Sequence, residues 1–331
     1  MVSVVVPAFR AARFLPRCIE SVLAQTYTSW ELIIVEQSND ESARIVRDYQ
    51  VGHQDRIRLF EQPNTGASGG RNRGIQESRG EFVAFLDADD EFLPRKLERQ
   101  LELFRLRPQL GLAYCDYAFK DALGGYHPSV FDELAPRARA EGSESLGDAL
   151  YACPVSFFEL LLDEYLIATI TGMVRRSVLA DDVRFSPGCT YAEEWLFFLE
   201  VAHRAPAGFV DEPLCLHHHV EGSVTRTSAR RNLCALVNTR REMLLRFGGL
   251  GRSVRRVLED GLAAALAASG NRSCRDGYVR EGLFDLGRAL RMRPSVTLAR
   301  QILKSAMSST RQGWRTRFRG RRSTLEAPKG A

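Results

Sequence analysis

The 331-residue sequence predicts an α/β fold: a doubly wound mixed sheet followed by a helical C-terminal extension. Three observations carry this expectation. The first third alternates short apolar runs with amphipathic stretches, as in a sheet covered by helices on both faces. Several of those runs end in polar or acidic clusters, as strands do when their carboxyl ends face a ligand crevice. Beyond about residue 228 the apolar spacing becomes helical and stays so.

In chain order, strands are expected at 2–6, 31–35, 57–61, 82–86 and 112–116, where Val, Ile, Leu and Phe dominate. Helices are expected between them at 14–25, 41–50, 68–77 and 94–106, the last opened by a first-turn proline, Pro94. Residues 124–150 are rich in Gly, Ala, Glu and Arg and read as a long loop or insertion with one short helix. Apolar residues return over 155–178 and in a helical pattern over 191–202, and further helices are expected at 232–247, 253–269, 278–290 and 295–307. In this layout Pro7 to Phe9, Glu36 to Asp40 and Asp87 to Asp90 all lie at strand ends facing one crevice.

Composition narrows the function classes. A net charge of +5 is modest for this length and does not by itself indicate nucleic acid, so no nucleic-acid partner is expected. The seven cysteines are scattered and contain no CxxC pair, which suits reduced thiols in a cytoplasmic protein. The opening run Val2 to Pro7 lacks the basic start and cleavage site of a secretory signal. No run of about 18 apolar residues occurs, so membrane contact would be peripheral, at the inner face of the cell membrane.

Asp87, Asp89 and Asp90 directly follow the apolar run 82–86, and three carboxylates crowd there at a cost unless a cation or hydrogen bonds offset their repulsion. Hard oxygens suit Mg2+ or Mn2+, which would also bridge nucleotide phosphates. Capping of the following helix, or simple solvation, explains an isolated acidic triplet as well. His217, His218 and His219 on an extended segment point to alternating faces and make a poor zinc site.

The order of motifs around the acidic run resembles the family 2, GT-A-fold inverting glycosyltransferases over roughly residues 1–226. The segments concerned are Val2 to Phe9, Leu15 to Tyr27, Trp30 to Val35, Asn64-Thr65-Gly66, Gly70 to Ile75, Gly80 to Asp90 and Leu93-Pro94. The resemblance implies a GT-A-like catalytic domain over 1–226, a helical extension over 227–307 and a basic tail over 308–331. It implies a nucleotide-diphosphate sugar as donor, a UDP-sugar foremost, and a glycan or lipid-linked acceptor, as in bacterial surface polysaccharide synthesis. Pro7, Ala8 and Phe9 would then wall the nucleoside, with Asn64 and Ala88 also on the donor side.

Glu36 and Gln37 replace the family's two aspartates; the amide oxygen of Gln37 could still accept a pyrimidine N3–H. Arg71 would lie near the diphosphate, where a guanidinium offers paired donors. Asp87, Asp89 and Asp90 would hold the divalent metal, with His219 near the metal or diphosphate. Glu193-Glu194-Trp195 stands where the family usually has Glu-Asp-Trp, so Glu194 inherits the general-base role and Glu193 supports it. The alternatives are a nucleotidyltransferase and a non-catalytic sugar-binding domain with a decayed site.

The basic tail, Arg311 to Arg322 with Trp314 and Phe318, suits an anionic membrane surface, and equally a solvated disordered segment or nucleic acid.

Overall fold

The computed structural model describes residues 1–121, 123–179, 182–220, 228–297, 299–300 and 302–303. The chain divides into two compact units, Met1–Ser223 and Val224–Ala331. The expected tail, 308–331, and the segment Glu221 to Thr225 that follows His219 lie outside the described residues, as does part of the helix expected at 295–307.

In the first unit the strands are β1 (Val2–Ala8), β2 (Trp30–Glu36), β3 (Ile57–Glu61), β4 (Phe82–Phe85), β5 (Glu91–Phe92), β6 (Leu112–Lys120), β7 (Tyr126–His127), β8 (Glu144–Gly147), β9 (Leu150–Ala152), β10 (Met173–Arg175) and β11 (Ala207–His218). The helices are α1 (Leu15–Leu23), α2 (Ser42–Gln50), α3 (Gly66–Glu77), α4 (Lys96–Leu106), α5 (Val130–Glu133), α6 (Phe157–Asp163) and α7 (Glu193–Arg204). One sheet runs β3-β2-β1-β4-β10-β6-β11-β9-β8, with β5 on β11 and β7 on β6. Strands β3, β2, β1 and β4 are mutually parallel, and β10 runs antiparallel between β4 and β6. The sheet is therefore mixed, as expected.

β1 and β2 are buried along almost their whole length, which is why they read as continuous apolar runs rather than alternating ones. Their core joins α1 through Leu15, Cys18, Ile19 and Val22. Because β1 pairs β2 on one side and β4 on the other, the chain reverses its winding direction at β1, and a crevice opens there at the strand ends. Helix α3 lies close beneath that crevice: a Cβ on Gly74 would stand 2.2 Å from Val5 Cγ1, so only glycine lets the helix approach β1.

Residues 124–150, expected as a long loop or insertion with one short helix, hold the short helix α5 and in addition β7, β8 and the start of β9, anchored by buried Asp116, whose carboxylate accepts from Ser129 Oγ and from the N–H groups of Val130 and Phe131 (both 3.0 Å). Of the twelve-residue strand β11 only the extended segment at its histidine end was expected. Its Asp211-Glu212-Pro213 centre interrupts the apolar pattern, and the ladder to β6 shifts register on both sides of Pro213.

The second unit contains α8 (Ala229–Phe247), α9 (Arg252–Arg275) and α10 (Val279–Met292). Ser228 caps α8 by accepting from Arg231 N–H at 3.3 Å. Its core is Val237, Leu262, Ala265, Leu266, Leu286 and Ala289. Among the described residues, no helix is long and apolar enough to cross a membrane.

Candidate active site

The crevice gathers side chains from the ends of β1, β2, β3, β4 and β11 and from α3 and α7. At its outer end, the tips of β1 and β2 and the turn after β3 enclose a cleft of about 790 Å³ lined by Phe9, Glu36, Gln37, Asp40, Gln62 and Asn64, among others. Phe9 is 47% exposed and lines the cleft, whereas Ala8, beside it in β1, is fully buried. Pro7 packs behind the cleft, close to Gly70 of α3. Glu36 is buried and accepts from the backbone N–H of Ser38 (2.8 Å) and from its hydroxyl, while Asn64 Oδ1 accepts from Gly66 N–H (2.9 Å) at the start of α3.

Gln37 is tied into the turn before α3. Its amide oxygen already accepts from Thr65 N–H (3.0 Å), Thr65 Oγ1 (2.9 Å) and Gln62 Nε2 (3.2 Å), and its Nε2 donates to Gly66 O (3.2 Å). The side chain fastens the turn that begins α3, and its oxygen would have to release one of these donors to receive a base N–H.

Arg71, on the inner face of α3, is the hub of the inner end. Its guanidinium donates through Nη2 to Asp87 Oδ1 (2.7 Å) and through Nη1 to Glu193 Oε1 (2.9 Å), with only 5% of the side chain exposed. Burial works against that charge, but Asp87, Glu193 and Glu194 outweigh it and raise the pKa. One arginine thus ties the acidic run after β4 to the acidic pair that opens α7. Asn72, the next residue, donates to Phe185 O (2.8 Å) and accepts from Phe185 N–H (2.9 Å). The Phe185 ring stacks on Phe197 of α7 at 4.0 Å, so α3 and α7 share one apolar floor.

Within the acidic run the three aspartates diverge. Asp87 faces Arg71. Asp90 is 1% exposed and turns inward, accepting from His217 Nδ1 (3.0 Å) and from His218 N–H (2.8 Å) at the end of β11. Burial opposes a charge on His217, but Asp90, with Asp89 and Asp87, lifts its pKa to about 9, so it stands as an imidazolium beside the carboxylate. Asp89 has no such partner: burial, then the charges of Asp90 and Asp87, push its carboxyl up to about 7. Ala88, between them, is buried.

Among the described residues, no three Asp, Glu, His or Cys side chains converge closely enough to hold an ion alone. The reason is visible in this divergence: Asp90 accepts from His217 and His218. His219 bonds to the sheet through its backbone N–H and Lys120 O (3.2 Å), and its ring makes no hydrogen bond to the acidic run. The histidine that reaches the aspartates is His217, two residues earlier and on the same strand face.

Glu194 begins α7 after Ala192, whose φ of 55° puts a non-glycine residue in the left-handed region next to the site. Its Oε1 accepts from Tyr165 Oη at 2.6 Å. Loss of hydration, then the charge of Glu193, pushes its carboxyl up to about 7, with Arg71 and the tyrosine hydroxyl holding it back. A carboxylate with that pKa is suited to accept a proton near neutrality.

Sequence reasoning did not single out Tyr165, Asn72 or His217. Tyr165 lies 29 positions from Glu194, and only the fold brings them together. One consequence is measurable. Tyr165→Phe removes a hydrogen bond that favours the ionised carboxylate, so the acidic limb of the kcat/KM–pH profile is expected to move to higher pH with activity recovered in alkali. An unshifted limb would separate Tyr165 from the base.

Residues 3–156 match the family model described as glycosyl transferase family 2. The Escherichia coli protein named UDP-Glc:alpha-D-GlcNAc-diphosphoundecaprenol beta-1,3-glucosyltransferase WfgD is 33% identical over 119 residues, which are 35% of this chain and 46% of that one. Across such curated relatives the match spans about a third to a half of their own length. S. aureus TarS 1–349, solved in complex with UDP-GlcNAc, superposes with a TM-score of 0.64 at 17% identity, covering 88% of this chain and 81% of that one. The mannosyltransferase PcManGT from Pyrobaculum calidifontis, solved with GDP-Man and Mn2+, gives 0.57 at 16% identity, covering 95% and 82%. The fold is GT-A-like, and residues 3–156 are similar to glycosyl transferase family 2.

Proposed function

We propose that the chain is a metal-dependent, inverting glycosyltransferase that moves a sugar from a nucleotide-diphosphate sugar to an acceptor hydroxyl. The observation that carries this reading is the pair of bonds from Arg71 to Asp87 and to Glu193, which sets a donor side and a base side on one guanidinium. The outer cleft takes the nucleoside, a uridine in the simplest case, with Phe9 against it. The diphosphate then lies over the acidic run.

The residues fit a divalent cation in part. Burial, then the charges of Asp90 and Asp87, push the Asp89 carboxyl up to about 7, and a cation would relieve that crowding of acids. Asp89 and Asp87 would hold Mg2+ or Mn2+ together with diphosphate oxygens, and Asp90 would hold the loop through His217. When bound, the ion neutralises the leaving nucleoside diphosphate.

On the other side, Glu194 removes the proton of the acceptor hydroxyl as that oxygen attacks the anomeric carbon. The bond to the diphosphate oxygen breaks in the same displacement, so the configuration inverts without a covalent enzyme intermediate. Glu193 is fixed by Arg71 and supports Glu194 by raising its pKa. The name of the WfgD relative, with a polyprenyl-diphosphate sugar as acceptor, supports a lipid-linked or glycan acceptor of surface polysaccharide synthesis for this chain.

A panel of nucleotide sugars incubated with Mn2+ or Mg2+ tests the reading. Release of nucleoside diphosphate from one donor, abolished by a chelator and restored by the metal, is expected. Release of pyrophosphate would assign a nucleotidyltransferase, and binding without turnover a sugar-binding domain.

A further inference from the structure

The two units differ sharply in charge. Met1–Ser223 carries 22 Lys and Arg against 34 Asp and Glu, a net −12, whereas Val224–Ala331 carries 24 against 7, a net +17. Much of that excess belongs to the helices and not to the tail: residues 228–303 alone hold 15 arginines and 6 acids.

Helix α10 shows how the excess is arranged. One face, Gly282, Leu286 and Ala289, is buried, and its approach to α9 is close enough that a Cβ on Gly282 would stand 2.6 Å from Gly270 O. The opposite face carries Arg280, Phe284, Arg288 and Arg291 at helical spacing. Phe284 is 65% exposed at its centre, and the Arg288 guanidinium lies 5.7 Å from the ring centroid.

Other arginines of this unit are neutralised within their helices, Arg255 by Glu259 (2.9 Å) and Arg272 by Asp276 (2.9 Å). Among the described residues no carboxylate lies within ion-pair distance of Arg280, Arg288 or Arg291. Tyr278 and Val296, which flank α10 in the chain, are 48% and 69% exposed.

We propose that this face of α10 docks on an anionic phospholipid bilayer surface. Three unpaired guanidiniums match phosphate oxygens in charge and geometry. A large exposed apolar ring between them gains by entering the boundary between headgroups and acyl chains, a layer that a polynucleotide lacks. The inference is independent of the transfer chemistry and of residues 308–331.

Sedimentation of the full chain with vesicles of phosphatidylcholine, or of phosphatidylcholine and phosphatidylglycerol in equal parts, tests it. Binding is expected to the anionic vesicles only. The triple variant Arg280→Gln, Arg288→Gln, Arg291→Gln should lose about tenfold or more in partitioning, as each arginine near an anionic surface contributes severalfold. An unchanged melting temperature verifies its fold. In a Phe284→Trp variant, brominated lipid should quench fluorescence beyond the quenching seen in the parent chain. Wild-type partitioning by the triple variant, no added quenching at position 284, or loss of single-stranded RNA binding with vesicle binding intact would each overturn the proposal.

Discussion

Glu194→Gln is expected to lower turnover by about two to four orders of magnitude, the contribution of a positioned general base. The amide keeps the side chain's size and can still meet Tyr165 Oη, so the fold and the donor side should be unaffected. The pH dependence gives a second handle. Since burial and Glu193 raise the Glu194 carboxyl to about 7, the base is protonated and idle below that pH and competent above it. Wild-type kcat/KM should therefore rise through neutrality, and the glutamine variant should lose that limb. Full turnover in the variant, with donor binding intact, would remove Glu194 from the mechanism.

The second large effect is on stability. Arg71→Met keeps the apolar stem but removes the charge shared by Asp87 and Glu193, leaving five carboxylates, those of Asp87, Asp89, Asp90, Glu193 and Glu194, with one cationic group less among them. Breaking a buried ion pair by removing one partner costs about 3–5 kcal/mol. Because 31% of the Asp87 side chain is exposed, the lower part of that range, about 3 kcal/mol, is expected.

The loss should deepen as pH rises, since the unfolded chain ionises these acids freely while the folded one must ionise them unpaired. Added Mn2+ should return part of it, because an ion bound by the folded state alone stabilises it by mass action. Urea midpoints at acidic and alkaline pH, with and without the metal, read both effects. A midpoint equal to wild type at alkaline pH would mean that Arg71 is not the counter-charge of the site.

Much of this site was legible from the chain because its parts sit at the ends of strands that read clearly. β1, β2 and β4 are continuous apolar runs, and Phe9 and Glu36, at the ends of the first two, line the outer cleft, while the Asp87 to Asp90 run follows the third. The parts that sequence did not reveal depend on β10 and β11. β10 has three residues, and β11 is broken by Pro213 and two register shifts, so neither shows a strand's periodicity.

With β11 unseen, its end could not be placed against Asp90, so the bond from His217 to that carboxylate had no local signal. The same holds for Gln37: its residue type permits base recognition, and only the turn at Thr65 shows what its oxygen already does. The divergence of three adjacent aspartates toward an arginine, a cleft and a histidine is a tertiary fact with no local signal.

The central claim is that one site has two separable halves joined by Arg71. Calorimetric titration of the nucleotide sugar that turns over, in the presence of Mn2+, into wild type, Asp89→Asn and Glu194→Gln compares them directly. The account predicts near-equal donor affinity for wild type and Glu194→Gln, and affinity at least about tenfold weaker for Asp89→Asn, as loss of a charged contact to bound metal implies. Donor binding weakened equally by both substitutions, or by neither, would contradict it.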